Sequence, residues 1–208
     1  MDEPQHRILA ALDIQGFGRS DRTNLDRLHL HRELHALYPS LLKRSRIAAS
    51  QVVASDTGDG VILSIDGSVS KLRLLTRFVG ELARRLAAAN QGRRPAEQMR
   101  LRMALHAGDV LADPEPIHGE AVILTARLLD ADVLRACLLA TDEPLAVVVS
   151  STIYEEVVKH GYGGVVPGEY LPTVAECKET RVDAWLHVPG DTDAPRRAGV
   201  IVIASLAS

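Results

Sequence analysis

Three features of the sequence predict an α+β fold, with a ferredoxin-like β-α-β-β-α-β core and further elements added C-terminally. Strand-like apolar runs and helix-period stripes follow one another in that order over the first half of the chain. A Gly/Asp turn divides the second and third strands into a hairpin. With 208 residues, 46% hydrophobic and 25% charged, the chain is long enough for one well-buried domain and short for two.

Residues 7–13 (RILAALD) read as the first strand. A helical stretch follows over 21–48, with Leu25, Leu28, Leu34, Leu37 and Leu41 at helical spacing and a kink expected near Pro39. In SQVVASDTGDGVILSI two β-rich runs flank the turn. Residues 70–90 form the second helix, on a stripe of Leu72, Leu75, Val79, Leu82 and Leu86. After a polar loop, MRLRMALHAGDVL alternates as a strand, with Arg100 and Arg102 read as its wet side. The additions are a helix over 119–140, a strand over 145–151, a helix over 152–161 and a late strand pair spanning YLPTVAECKETRVDAWLHV. The stretch 189–197 reads as a linker, and AGVIVIAS as either an edge strand or a docking segment.

Composition excludes several functions. A net charge of −3, from 24 basic and 27 acidic residues, leaves no basic field for nucleic acid and no polybasic helix for a membrane. No apolar run approaches the roughly 18 residues of a membrane span, and the N-terminus lacks a signal-peptide pattern. The two cysteines, Cys137 and Cys177, lie far apart without metal-ligand spacing, as suits reduced thiols. A cytoplasmic protein with a small partner is expected.

The chemistry concentrates where the topology brings carboxylates together. The first strand lies antiparallel to the third, so its end and the hairpin share one sheet edge, and Asp13 meets Asp59. Strands about 4.8 Å apart let two such carboxylates reach one or two Mg²⁺ ions, a clamp suited to in-line attack at phosphorus. Gly16 and Gly18 let the backbone between Asp13 and the helix start turn N–H groups toward phosphate. Each motif alone has a simpler explanation: TGDG is a hairpin turn, and DIQGFG could be a helix cap. Their meeting at one edge is the informative fact. Because the carboxylates repel, removing either is expected to hold or raise the stability of the metal-free fold.

These residues resemble the catalytic domain of class III nucleotidyl cyclases. LDIQGFG is similar to the family's D-[IFL]-x-G-F-[ST] metal motif, TGDGVILSI to its GD hairpin, LRMALHAGDV to its R-[VI]-G-[IL]-H-x-G strand, and GEAVILTARLLD to its G-[DN]-x-V-N-x-[AS]-x-R helix. The resemblance spans about residues 7–188, making 1–188 the cyclase-like domain and 189–208 a linker and tail. It implies metal ligation, by Mg²⁺ or Mn²⁺, through Asp13, Asp59 and the Ile14 carbonyl. It implies phosphate binding by Gly16, Phe17, Gly18 and Lys178, and stabilisation of the reacting phosphates by Arg127. It also implies a nucleoside triphosphate substrate and a head-to-tail homodimer, with the aspartates and Arg127 of one site coming from opposite subunits.

The departures fall in the base and ribose region. Ser55 stands where a lysine reads the purine, its aspartate partner falls near Pro116, and Ile123 replaces the ribose-orienting asparagine. Retained phosphate machinery with altered base readers favours an active enzyme with rewritten base choice, such as UTP or CTP. The pyrimidine cyclases of bacterial antiphage defence are one branch of that kind. The other reading is a degenerate module that binds nucleotide or a partner protein in regulation. His31 and His35, four residues apart, have zinc-compatible spacing, but HRELH is not HExxH and shows no clear third ligand. They read as a solvated helix face. His106 needs no catalytic role, and Trp185 reads as core or interface.

Overall fold

The computed structural model describes residues 3–112 and 117–199. Pro116 and residues 200–208, which include most of the expected C-terminal segment, lie outside the described residues. Strand β1 (Gln5–Ile14) leads through a tight loop to helix α1 (Asn24–Arg44). Thr23 starts that helix with a capping box: its hydroxyl accepts from the Asp26 N–H while the Asp26 carboxylate accepts from the Thr23 N–H. Pro39 lies inside α1 and has no N–H to offer the carbonyl of His35.

Strands β2 (Val52–Asp56) and β3 (Gly60–Asp66) form the expected hairpin. The expected single helix over 70–90 is α2 (Lys71–Arg73), a π-helical turn (Leu74–Phe78) and α3 (Val79–Asn90). The wider turn changes the phase of the stripe, so Leu74, Leu75, Phe78 and Val79 are all buried. Strand β4 (Leu101–Ala112) is followed by the short β5 (Ile117–His118) and by α4 (Glu120–Asp130).

The expected helix over 119–140 is two helices, because the buried Ala131 is extended (φ −60°, ψ 133°) and α5 (Asp132–Leu139) starts afresh. No Gly or Pro marks that break in the sequence. Then come β6 (Leu145–Ser150), α6 (Ser151–Glu156), β7 (Leu171–Cys177), β8 (Thr180–His187) and α7 (Ala194–Arg197). The stretch read as a linker docks on the domain. Ala194 is fully buried, Asp191 accepts from the Thr141 hydroxyl at 2.7 Å, and Arg197 pairs with Asp191.

The strands form one mixed sheet in the order β2-β3-β1-β4-β6-β8-β7, with β5 paired to β4. Both faces are covered. Ile8, Leu12, Met103 and Val147 meet α1, the π turn, α3 and α6, whereas Ala11, Ala104, Val148 and Leu186 meet α4, α5 and α7. Trp185 lies in the first of these cores and stacks on Tyr154, with ring centroids 4.0 Å apart and planes at 5°. No helix among the described residues is long and apolar enough to cross a membrane.

Candidate active site

The end of β1 lies between β3 and β4, where Asp13 pairs in register with Gly60 on one side and Arg102 on the other. The approach to β3 is close enough to require glycine: a Cβ on Gly60 would stand 2.2 Å from the Leu12 carbonyl oxygen. The Ile14 N–H donates to the Asp59 carbonyl at 3.0 Å, fixing the hairpin beside the strand end. Asp13 is 7% exposed and Asp59 is exposed. Burial pushes the Asp13 pKa up to about 6; Arg102 opposes this, and the adjacent Asp59 carboxylate adds to it.

Arg102 is a residue that sequence reasoning misplaced. It is buried, not wet, and its Nε and Nη2 donate to Asp13 Oδ2 at 3.1 and 2.5 Å. Its Nη1 donates to the Leu129 carbonyl near the end of α4 at 3.2 Å. Arg100 likewise points inward, its Nη2 donating to the carbonyls of Leu138, Thr141 and Glu143. Alternation along β4 marked a second packed face. The expectation that removing Asp13 leaves the fold untroubled is therefore corrected, since its loss strands a buried guanidinium.

The loop after β1 is held from beneath by Arg22, which is 4% exposed and which nothing in the sequence singled out. It donates to the carbonyls of Gln15, Gly16, Ala96 and Gln98. Gly16 has φ +64°, whereas Gly18 has no such requirement. With those carbonyls turned inward, the Gly16 and Gly18 N–H groups have no partner among the described residues. Phe17 packs against the core and its carbonyl accepts from Arg27, so its ring acts as an anchor.

Arg127 and Lys178 form a separate cluster. Arg127, on α4, donates to Glu179 at 2.9 Å, and its Nε is buried without a hydrogen-bond partner among the described residues. Lys178, exposed at φ +53°, occupies the adjoining β7–β8 turn. Within one chain the ion pair of Arg127 is with Glu179, not with either aspartate. Ile123, one turn before Arg127 on α4, is 52% exposed. Ser55, half-buried on β2, pairs in register with Ile62, while Pro116 lies outside the described residues. His106 is buried against the Ser150 hydroxyl at 2.9 Å, and burial holds its pKa down at about 4, as suits a structural neutral imidazole.

The oxygen set at the first cluster fits a hard divalent cation: two adjacent carboxylates, one raised in pKa by burial and its neighbour, and the Ile14 carbonyl, which accepts from the Phe17 N–H at 3.2 Å. Asp13 Oδ1 is not engaged by Arg102.

No protein-family model and no curated protein matches the chain. Solved structures do. An adenylate/guanylate cyclase/hydrolase from Silicibacter pomeroyi superposes with a TM-score of 0.64 at 21% identity, covering 91% of this chain and 99% of that one. The catalytic core of a rhodopsin-guanylyl cyclase with converted specificity, in complex with ATPαS, gives 0.60 at 16% identity over 89% and 96%. The guanylate cyclase domain from Catenaria anguillulae, in complex with GTP, gives 0.55 at 14% identity over 88% and 95%. The chain thus has the α+β fold of class III nucleotidyl cyclase domains.

Proposed function

We propose that this cyclase-fold chain is a nucleotidyl cyclase that converts a nucleoside triphosphate to a 3′,5′-cyclic nucleotide and pyrophosphate, at a site shared by two copies of the chain. The observation that carries this reading is the buried carboxylate at the end of β1. Asp13 is buried beside Asp59 with its pKa raised to about 6, next to a loop whose Gly16 and Gly18 N–H groups have no partner among the described residues. Such a carboxylate stores a demand for positive charge that Arg102 meets only in part.

Asp13, Asp59 and the Ile14 carbonyl would hold one or two Mg²⁺ or Mn²⁺ ions. When bound, such ions neutralise the triphosphate and ease ionisation of the ribose 3′-hydroxyl. Gly16 and Gly18 donate to phosphate oxygens from the pinned loop, with Phe17 anchoring it. The 3′-oxygen forms its bond to the α-phosphorus, the bond to the bridging oxygen breaks, pyrophosphate leaves with the electron pair, and the hydroxyl proton passes to solvent. Arg127 and Lys178 of the second copy face the reacting phosphates, with Arg127 exchanging Glu179 for phosphate oxygen. The pairing of Arg127 with Glu179 rather than with either aspartate in one chain supports completion of the site by a second copy. Residues 1–188 carry the reaction in this reading, and 189–199 pack against them.

Ser55 is too short for a lysine's reach and Ile123 offers no hydrogen bond, so strong purine selection is absent. UTP or CTP, or purines with little discrimination, are the substrates. A second reading, a catalytically silent module that binds nucleotide or an effector protein, draws on the exposed Ile123 at the ribose position. The test is to incubate the protein with each of the four triphosphates and Mn²⁺ and separate the products by chromatography, beside an Asp59→Ala control. A cyclic product that vanishes in the control supports the enzyme. Efficient, selective cyclic AMP formation refutes the base argument, and nucleotide bound without any product assigns the chain to the silent module.

A further inference from the structure

We infer that His31, His35 and Asp56 form a second metal site, for a Zn²⁺-class ion, separate from the aspartate pair. The two histidines lie one turn apart on α1, and the strand end at Asp56 supplies the third ligand that the sequence alone did not reveal. Their ligand atoms all lie within 4.8 Å of one another. His31 Nε2 is 3.0 Å and His35 Nε2 3.5 Å from Asp56 Oδ2. Donors placed about 2.0–2.1 Å from a tetrahedral ion stand roughly 3.3 Å apart, between those two values.

A hydrogen-bonded His–Asp pair explains only half of this arrangement. It satisfies His31, while His35 Nε2 is left buried without a hydrogen-bond partner among the described residues. Unpartnered buried nitrogens are uncommon in folded proteins, and a cation shared by all three groups provides the missing partner. The ligands are also held in advance. Asp56 Oδ1 accepts the Gly58 N–H at 2.7 Å, leaving Oδ2 to the imidazoles. The two imidazole rings stack with centroids 4.3 Å apart, and Tyr38 packs edge-on against His35. Two imidazoles and one carboxylate select a borderline ion such as Zn²⁺ over Mg²⁺ or Ca²⁺, which take oxygen. The half-exposed Asp56 leaves room for water in the remaining position.

The site has a structural consequence. Asp56 ends β2, immediately after Ser55 and just before the turn that carries Asp59, so an ion here ties α1 to that hairpin. Bound metal braces the hairpin without contributing to the chemistry at Asp13.

Cobalt(II) serves as the probe, titrated into the 208-residue chain in excess Mg²⁺ to keep the aspartate pair occupied. The expected result is one Co²⁺ per chain, with the visible absorption of a nitrogen-ligated site, displaced by Zn²⁺ and unchanged in Asp59→Ala. His35→Gln and Asp56→Asn should each weaken binding by more than the roughly 10–100-fold that losing an outer hydrogen-bond partner costs. Metal at about a hundred times its dissociation constant should raise the Tm of the wild-type protein by about 5–10 °C and that of neither variant. The metal-free Tm of each variant checks its fold, and the substitutions lie on different elements. Absence of Co²⁺ binding, or binding that survives either substitution, overturns the site. Because Asp59→Ala retains it, failure here is distinguishable from failure of the cyclase reading.

Discussion

Replacing Asp13 by alanine should destabilise the metal-free protein, against the intuition that two adjacent carboxylates repel. The Arg102 side chain is 9% exposed and donates to Asp13 twice, so the substitution leaves its charge buried with the Leu129 carbonyl as its one remaining partner among the described residues. Breaking a buried pair from one side costs about 3–5 kcal/mol, which at this size lowers the Tm by roughly 6–20 °C. Removing the charge as well, in Asp13→Ala/Arg102→Met, should recover most of that loss.

The pH dependence supplies an independent check. Asp13 is raised from 3.8 to about 6 on folding, so the native state holds this proton more tightly than the unfolded chain. Its stabilising contribution is fully present below the unfolded value and is lost as pH rises through about 6. The total is about 3 kcal/mol, a slope that Asp13→Asn should lack. Urea unfolding of the three variants and wild type between about pH 4 and 7 measures both effects. Asp13→Ala as stable as wild type at neutral pH, or no difference in slope between wild type and Asp13→Asn, would refute the reasoning.

Other outcomes follow from the same geometry. Affinity for Mn²⁺-nucleotide should rise as pH increases through about 6, with proton release on binding that disappears in Asp13→Asn; calorimetry in two buffers of different ionisation enthalpy reads it. Mixing Asp59→Ala chains with Arg127→Ala chains should restore activity, because one of the two shared sites is then intact in both halves; mixtures as inactive as their parents, despite verified exchange, would exclude the shared site. Gly60→Ala should cost about 2–3 kcal/mol, since its Cβ would stand 2.2 Å from the Leu12 carbonyl and must open the β1–β3 pairing; guanidinium denaturation measures it.

The architecture was legible because the hairpin turn and the helical stripes each carry a local signal. The meeting of β1 with the hairpin then followed from topology alone. Arg102 was not legible in that way. An arginine alternating with Leu101 and Met103 looks solvent-facing unless α4 and α5 are known to cover that side, and this depends on residues far along the chain. Arg22 was hidden for a similar reason, as its four carbonyl partners come from two separate loops. The break at Ala131 has no breaker residue. The third ligand beside His31 and His35 required the packing of α1 against the end of β2, which no spacing in the sequence encodes.

The pairing of β1 with β4 has a consequence for how the protein is made. It joins residues as distant as Gln5 and Val110, and the partner of Asp13 in that ladder is Arg102. While a ribosome is still translating the first hundred residues, Asp13 has the β2–β3 hairpin beside it but no guanidinium. Non-local ladders of this kind close slowly, after the local helices and hairpins have formed. Until β4 covers it, the Asp13 carboxylate stays hydrated and charged, and the sheet centre sets only once β4 has emerged. The candidate site is thus among the last parts of the N-terminal half to take shape, which keeps a half-made chain from presenting the finished pairing of Asp13 with Arg102.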